Sequence, residues 1–310
     1  MNRLFKVALP TTLALAIVLF MSAFSFANTS DSSPIVVKAD EYNWSELKAG
    51  VDYVEDEMLV TFKDDIESKD VVYEFAKRYN YDIEILSFGD FAGTKTALVR
   101  LEKGSSVEDA IRKIEEDEVV LSVSPNIIIR IENSMEQSQV YSQWHIDRYT
   151  MPIVWDMARC DNNVTVAVLD GAVDVHHEDL EDNILMSYAK DVVHNCALTS
   201  GNDNHATHVA GIISAVADND IGVQGVSYNA NIIPINIKDD DGGIRKESVV
   251  RAYNHLLTNI PENINLKVIN CSFGGPGLTG DLENYVNAAA ARGIITVCAA
   301  GNENTDAAHY

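Results

Sequence analysis

The stretch VTVAVLD, Val164–Asp170, decides the fold class of this chain. Up to Leu169 its residues are apolar or β-branched without interruption, which is typical of a strand buried on both faces of a parallel sheet. Similar runs follow at Ala230–Ile237, Leu266–Phe273 and Gly293–Ala300. We therefore expect buried parallel strands whose carboxyl ends meet at one edge of the sheet. Binding and catalytic residues lie at this edge in such folds.

Helical patterns separate these runs. Small and apolar residues fill His208–Ala217, and apolar positions share one helical face in Val249–Leu257 and in Leu282–Ala289. Strands that alternate with helices indicate a sheet covered on both faces. We assign residues 133–310, the C-terminal module, to the α/β class with a doubly wound parallel sheet.

Residues 51–132, the N-terminal module, alternate shorter strand-like and helix-like stretches. Apolar residues lie at helical spacing after Ser68, and Ser106 stands where it can cap a second helix. Strand-like runs occur at Met58–Phe62, Tyr81–Phe88, Thr96–Leu101 and Val119–Ile131. The order βαββαβ predicts a small α+β domain of ferredoxin-like topology. Residues 28–50 are mixed and polar, and we interpret them as a linker.

The segment 1–27 has the features of a cleaved export signal. Arg3 and Lys6 precede an apolar run, Val7–Phe24, and Ala27 ends a segment suited to signal peptidase. The run of about 18 residues also just reaches membrane-spanning length. However, no basic cluster follows it. We predict cleavage after Ala27, a secreted protein, and no membrane contact after cleavage.

Composition and charge restrict the partners. The chain has 310 residues, and 23 Lys and Arg stand against 47 Asp and Glu, a net charge of −24. Such a surface repels nucleic acid and anionic membranes, which argues against both. Four cysteines are too few for a disulfide-built scaffold. Cys160 and Cys196 lie in predicted loops where they could form a bridge, and Cys271 and Cys298 are expected in the core.

Side chains with complementary chemistry stand at the strand ends. Asp170 ends the first strand, His205 lies at the start of the next helix, and Asn302 follows the last apolar run. An aspartate can fix the tautomer of a histidine that serves as general base for a hydroxyl nucleophile. An asparagine amide can donate to the oxyanion that forms. A metal pair of His205 and His208 is disfavoured, because zincin-type sites space two histidines four apart and include a Glu.

Several short motifs resemble those of the subtilases, the subtilisin-like serine peptidases. They are AVLD at 167–170, HATHVAG at 205–211, GVS at 225–227, VINCSFGG at 268–275 and AAGN at 299–302. The resemblance implies that Asp170 is the triad aspartate, His205 the general base and Asn302 the oxyanion donor. It also implies a substrate-binding segment and an opposite wall, formed by Ser272, Phe273 and Gly274 and by Gly242 and Gly243.

The N-terminal module resembles the inhibitor-type propeptide of the same family. The implied protein is the secreted precursor of a serine endopeptidase, with protein or peptide substrates and its own propeptide as partners. The implied chemistry requires no cofactor. Calcium is common among subtilases, but the sequence assigns no site to it and no other metal site.

The chain departs from the family pattern in places that bear on activity. The family has its nucleophilic serine about 155 residues beyond the histidine, and the sequence given ends at Tyr310. We therefore expect the N-terminal portion of a catalytic domain, without its serine. Ala172 and Ala206 stand where the family has glycine. Two alternatives stay open: a non-catalytic binding or inhibitor-like remnant, and a pseudopeptidase.

Overall fold

The computed structural model describes residues 47–89, 95–129, 143–158, 162–274 and 281–301, together with Ala39, Tyr42, Trp44 and Ser45. The predicted signal segment, Cys160 and Asn302 lie outside these residues. Within the described ranges, no helix is both long enough and apolar enough to span a bilayer.

The N-terminal module forms an antiparallel sheet with two helices. Strand β1 pairs antiparallel with both β3 and β4, and the strand order is β2-β3-β1-β4. This order is ferredoxin-like, and the βαββαβ prediction is confirmed. The elements are β1 (Tyr53–Phe62), α1 (Lys69–Tyr79), β2 (Asp82–Phe88), β3 (Lys95–Arg100), α2 (Val107–Ile114) and β4 (Val120–Ile129).

Local capping explains where these helices begin. The Ser68 side chain accepts a hydrogen bond from the N–H of Asp70 and starts α1, and Ser106 accepts one from the N–H of Asp109 and starts α2. Each cap satisfies one of the free N–H groups of a first turn. The helices pack on alternate residues of β1, in a core that includes Met58, Val60, Phe62, Val72, Phe75 and Ile111.

The C-terminal module is built on a second sheet with the order β11-β10-β5-β8-β6-β7. All neighbouring strands are parallel except β6 and β7, so the predicted parallel sheet is confirmed with an unpredicted antiparallel edge pair. The strands are β5 (Thr165–Asp170), β6 (Lys190–Asp191), β7 (Cys196–Ala197), β8 (Asn231–Asn236), β10 (Leu266–Cys271) and β11 (Ile295–Cys298); β9 (Ile244–Arg245) joins the first sheet instead.

Helices cover this sheet on both faces. Along β5, Val166 and Val168 pack in one core with residues of helix α5 (Asn204–Ser214), whereas Ala167 and Leu169 pack in the other with residues of helices α6 (Lys246–Asn259) and α7 (Asp281–Ala291). The doubly wound arrangement is therefore confirmed. The helices of this module are α3 (Trp144–Arg148), α4 (Met151–Met157), α5 (Asn204–Ser214), α6 (Lys246–Asn259) and α7 (Asp281–Ala291).

The burial predicted for the last apolar run was wrong. Strand β11 pairs only with β10 among the described strands, and Ile295 is 64% exposed. Cys298, expected in the core, is exposed as well, whereas Cys271 is buried as predicted. Cys196 is exposed and its thiol is free, which contradicts the bridge that it could have formed with Cys160.

The two modules meet at a packed junction. Strand β9 pairs antiparallel with the end of β4 and so extends the first sheet. From α6, the buried Lys246 donates to Ser124 Oγ at 2.9 Å, and the Asn254 amide donates to the carbonyl of Leu86 at 3.0 Å. The sheet face opposite α1 and α2 adds Leu59, Leu98 and Ile127 to the core shared with α6 and α7.

Candidate active site

The fold brings together two of the residues predicted at strand ends. Asp170 is the last residue of β5 and is fully buried, and its Oδ1 accepts a hydrogen bond from the N–H of Gly171 at 2.7 Å. His205 lies in the first turn of α5, and its Nδ1 is 3.0 Å from both carboxylate oxygens of Asp170. The histidine side chain is 21% exposed. One ring nitrogen is thus held by a buried carboxylate while the ring still reaches solvent.

The charges around His205 favour its protonated form. The hydrogen bond with Asp170 raises the pKa of His205 above its ordinary value, and the negative charges of Asp170 and Asp203 add to this effect. Partial burial and the positive charge of Lys238 oppose it. A carboxylate that stabilises the imidazolium is what a histidine needs when it takes up a proton as general base.

A second carboxylate lies beside this pair and was missed by the sequence analysis. Asp203 is the N-cap of α5: its side chain accepts a hydrogen bond from the N–H of Ala206 at 2.9 Å. Its other oxygen pairs with the ammonium of Lys238 at 2.7 Å. Burial alone would raise the pKa of Asp203, but Lys238 and the N–H of Ala206 hold it below its ordinary value. An Asp immediately before a helical segment is an N-cap signal that could have identified it.

Thr207 fixes the first turn of α5 to the loop after β5. Its hydroxyl donates to the carbonyl of Asp203 at 2.8 Å and accepts from the N–H of Asp174 at 2.9 Å. The threonine of the HATH motif therefore has a structural role, because it holds the first turn of α5 against the loop that follows Asp170.

The predicted substrate-binding segments flank Asp170 by virtue of the strand order. Ser272–Gly274 follow β10, on one side of β5, while the loop that contains Gly242 and Gly243 follows β8, on the other side. Phe273 is buried, and Ser272 Oγ accepts from the Asn270 amide at 2.9 Å. Gly242 has φ +85°, a left-handed turn conformation that favours glycine. Asn302 lies outside the described residues, and its place relative to Asp170 and His205 stays a prediction.

Comparison with known proteins matches both modules. Residues 161–310 match the model of the subtilase family, and residues 43–126 match that of the fervidolysin N-terminal prodomain. Residues 161–310 are therefore similar to the catalytic domain of the subtilases. The fold of the chain is that of a subtilase preceded by a prodomain, in agreement with the resemblance drawn from the motifs.

Individual relatives match over different lengths. The thermophilic serine proteinase of Bacillus sp. (strain AK1) is 29% identical over 299 residues, which cover 94% of this chain and 70% of the relative. Subtilisin amylosacchariticus of Bacillus subtilis subsp. amylosacchariticus is 30% identical over 198 residues, covering 64% of this chain and 48% of the relative. The chain therefore spans about half of the second relative's length.

A solved structure shows the same fold. The crystal structure of a mutant of the epidermin leader peptide processing serine protease from Staphylococcus aureus matches with a TM-score of 0.60. The match has 18% sequence identity and covers 82% of this chain and 62% of that chain.

The alanines at subtilase glycine positions are not strained. Neither Ala172 nor Ala206 is among the described non-glycine residues with positive φ. Ala206 is fully buried within α5. A backbone that needs left-handed φ would have penalised alanine, so neither position gives a backbone reason for a disabled site.

The ligand atoms at this site do not fit a resident metal ion. Asp170, Asp203 and His205 offer oxygen and nitrogen atoms within 4.8 Å of one another. Each residue already has a partner, because Asp170 holds His205 and the ammonium of Lys238 contacts Asp203. A cation would have to displace that ammonium. Calcium, which many subtilases bind, has no assigned site among the described residues.

Proposed function

We propose that this chain is the N-terminal portion of a secreted serine endopeptidase precursor that hydrolyses peptide bonds in proteins. The observation that carries the proposal is the contact of His205 Nδ1 with the fully buried carboxylate of Asp170 at 3.0 Å. The match of residues 161–310 to the subtilase family model supports it. Export is inferred from the features of segment 1–27.

The proposed reaction is acyl transfer. A serine contributed by chain beyond Tyr310 attacks the peptide carbonyl, and His205 accepts the serine proton on the ring nitrogen that does not contact Asp170. His205 then gives the proton to the leaving amine, and water hydrolyses the acyl-enzyme by the same route. Asp170 keeps the imidazole in the right tautomer and stabilises its charged form. Asn302 donates to the oxyanion, a contribution of about 3 kcal/mol in such sites.

The substrate is an extended segment of protein, held as an added strand. We assign one wall to Ser272, Phe273 and Gly274 and the other to Gly242 and Gly243. The pairing of β9 with β4 supports this assignment, because β9 begins directly after Gly243 and already accepts a strand from the N-terminal module. The N-terminal module acts as the propeptide, and cleavage between about 132 and 140 releases it.

The deciding experiment begins with the gene past the codon for Tyr310. We expect an open frame that encodes a serine in a Gly-Thr-Ser-like segment. The longer protein should hydrolyse a peptide substrate and react covalently with a fluorophosphonate. Asp170→Asn should lower kcat by about 10⁴, and His205→Ala should abolish labelling, while the exposed His194→Gln should change neither.

The outcomes separate the rival functions. A stop codon after Tyr310 would overturn the peptidase proposal and leave a binding or inhibitor-like remnant. A longer chain that folds but neither hydrolyses peptides nor reacts with the fluorophosphonate would be a pseudopeptidase. Hydrolysis that survives His205→Ala would contradict the assignment of the general base.

A further inference from the structure

An ion pair borders the histidine that the proposed function uses as general base. Asp203 and Lys238 contact each other at 2.7 Å, and both side chains are largely buried, at 16% and 18% exposed. Carboxylate oxygens of Asp170 and Asp203 and a ring nitrogen of His205 all lie within 4.8 Å of one another. Asp203 is therefore near enough to His205 to act on it directly.

Asp203 holds the backbone on which His205 stands. Its carboxylate caps α5 through the N–H of Ala206, its carbonyl accepts from the hydroxyl of Thr207, and its own N–H donates to the carbonyl of Ala172 at 2.9 Å. His205 lies between these contacts in sequence. Any movement of Asp203 would thus move the first turn of α5 relative to Asp170.

The loop after β5 leaves space for this carboxylate. A Cβ atom at Gly171 would lie 2.8 Å from Cβ of Asp203 and closer still to its carboxylate. Real Cβ atoms do not approach other atoms so closely, so position 171 admits no side chain while Asp203 stays in place. Glycine at position 171 therefore leaves the space that the side chain of Asp203 occupies.

Three charged groups from separate segments face His205. Asp170 comes from the end of β5, Asp203 precedes α5, and Lys238 follows β8. Two carboxylates beside one imidazole would together hold its proton strongly. Lys238 offsets one of them, since its charge acts on His205 in the opposite direction to that of Asp203.

We propose that Asp203 and Lys238 are a positioning pair for His205, in which Asp203 fixes the first turn of α5 and Lys238 balances its charge. The pair does not touch the reacting atoms and acts only through the histidine. This proposal rests on the proposed function for its role in catalysis, but its physical content concerns the proton affinity of His205 and can be measured without hydrolysis.

The test is a pH titration of the His205 ring by NMR in the 310-residue chain, with the signal assigned by loss in His205→Gln. Asp203→Asn keeps the size and the capping ability of the side chain but removes its charge, so the His205 titration midpoint should shift down. Lys238→Met keeps the aliphatic stem and should shift the midpoint up. The double variant should return close to the unchanged protein.

A matched control lies in the same spectra. His194 contacts Asp191 at 3.0 Å, and the hydrogen bond to this residue raises the pKa of His194. Its midpoint should not respond to either variant. Midpoints of His205 that stay unchanged, or that shift in the same direction in both single variants, would overturn the proposal, as would an effect of equal size on His194.

The longer, active protein supplies an independent readout. There, the acidic limb of the kcat/KM profile should move to lower pH in Asp203→Asn and to higher pH in Lys238→Met. If the His205 midpoint shifts in opposite directions in the two variants but the longer protein hydrolyses no peptide, the proposal of a positioning pair stands and only the proposed function is refuted. An active enzyme in which neither variant moves the acidic limb of the kcat/KM profile would instead refute the proposal that Asp203 and Lys238 are a positioning pair.

Discussion

The junction between the modules contains a carboxyl group whose charge should weaken the folded state. Glu247 lies in the first turn of α6, and its Oε2 is buried without a hydrogen bond among the described residues. Burial raises the pKa of Glu247, and the nearby negative charge of Glu57 adds to this rise, while a hydrogen bond with the Asn126 side chain and the charge of Arg245 partly oppose it. The side-chain nitrogen of Asn126 donates to Glu57 Oε2 at 2.8 Å. The side-chain oxygen of Asn126 accepts from the backbone N–H of Glu247 at 3.4 Å.

The sign of the pH dependence follows from the raised pKa. Below the ordinary value of 4.5 the carboxyl is protonated in both the folded and the unfolded chain, so no buried charge destabilises the folded state. As pH rises above that value the unfolded chain loses its proton first, and the folded state is progressively destabilised. A buried polar atom without a hydrogen-bond partner, such as Glu247 Oε2, costs about 1–3 kcal/mol. Because Glu247 is only half-buried as a whole, the lower part of that range applies.

Glu247→Gln should therefore stabilise the protein by about 1–2 kcal/mol at pH 8 and by almost nothing near pH 4.5. Urea unfolding followed at several pH values measures the difference. Glu102→Gln, at an exposed position, is the matched control and should have no such effect. A Glu247→Gln variant that is no more stable at pH 8, or whose gain is the same at both pH values, would refute the reasoning.

Three further predictions concern stability. Since the folded-state pKa of His205 is raised by Asp170, this pair stabilises fully below pH 6.5 and less as pH rises through the folded pKa; urea unfolding of His205→Gln should show a larger loss at pH 5.5 than at pH 9. Ile111 has no exposed surface, so Ile111→Ala should lower the free energy of unfolding by about 2–5 kcal/mol and Ile111→Val by about 0.5–1.5 kcal/mol, as measured by urea unfolding. Gly171→Ala should cost about 1–3 kcal/mol through its clash with Asp203, and calorimetry should find a smaller cost in an Asp203→Gly background.

Periodicity predicted the long elements of the fold because each of them buries a face that its own residues define. Strand β1 begins at Tyr53 rather than at Met58, since its early residues are held by pairing with β4, Tyr53 with Ile127, and not by an apolar run. The two-residue strands β6, β7 and β9 are too short to have a period. They exist only because a partner strand lies beside them.

The exposure of β11 has a different origin. A continuous apolar run shows that a segment is able to be buried, but it carries no information on strand order. In the described part of the sheet β11 has a neighbour on one side only, and Val297 and Ile295 are largely exposed there. The prediction of the strand was sound, while that of its burial depended on neighbours that the pattern does not specify.

The site was predictable only as far as local rules reach. Asp170 and His205 stand at a strand end and a helix start, so two local rules and the geometry of parallel sheets bring them together. Lys238 has no such signal, because 35 residues separate it from Asp203 and only the neighbouring positions of β5 and β8 join them.

That lysine matters more in this chain than it would in a neutral one. The chain has 47 acidic residues and only 23 basic ones. Carboxylates that could lie near Asp170 are therefore common in it, whereas cations that could offset their charge are scarce. Without Lys238, His205 would face two uncompensated carboxylates and would hold its proton over a wider pH range, which works against a general base. With the lysine paired to Asp203, the second carboxylate can cap α5 while the imidazole responds mainly to Asp170.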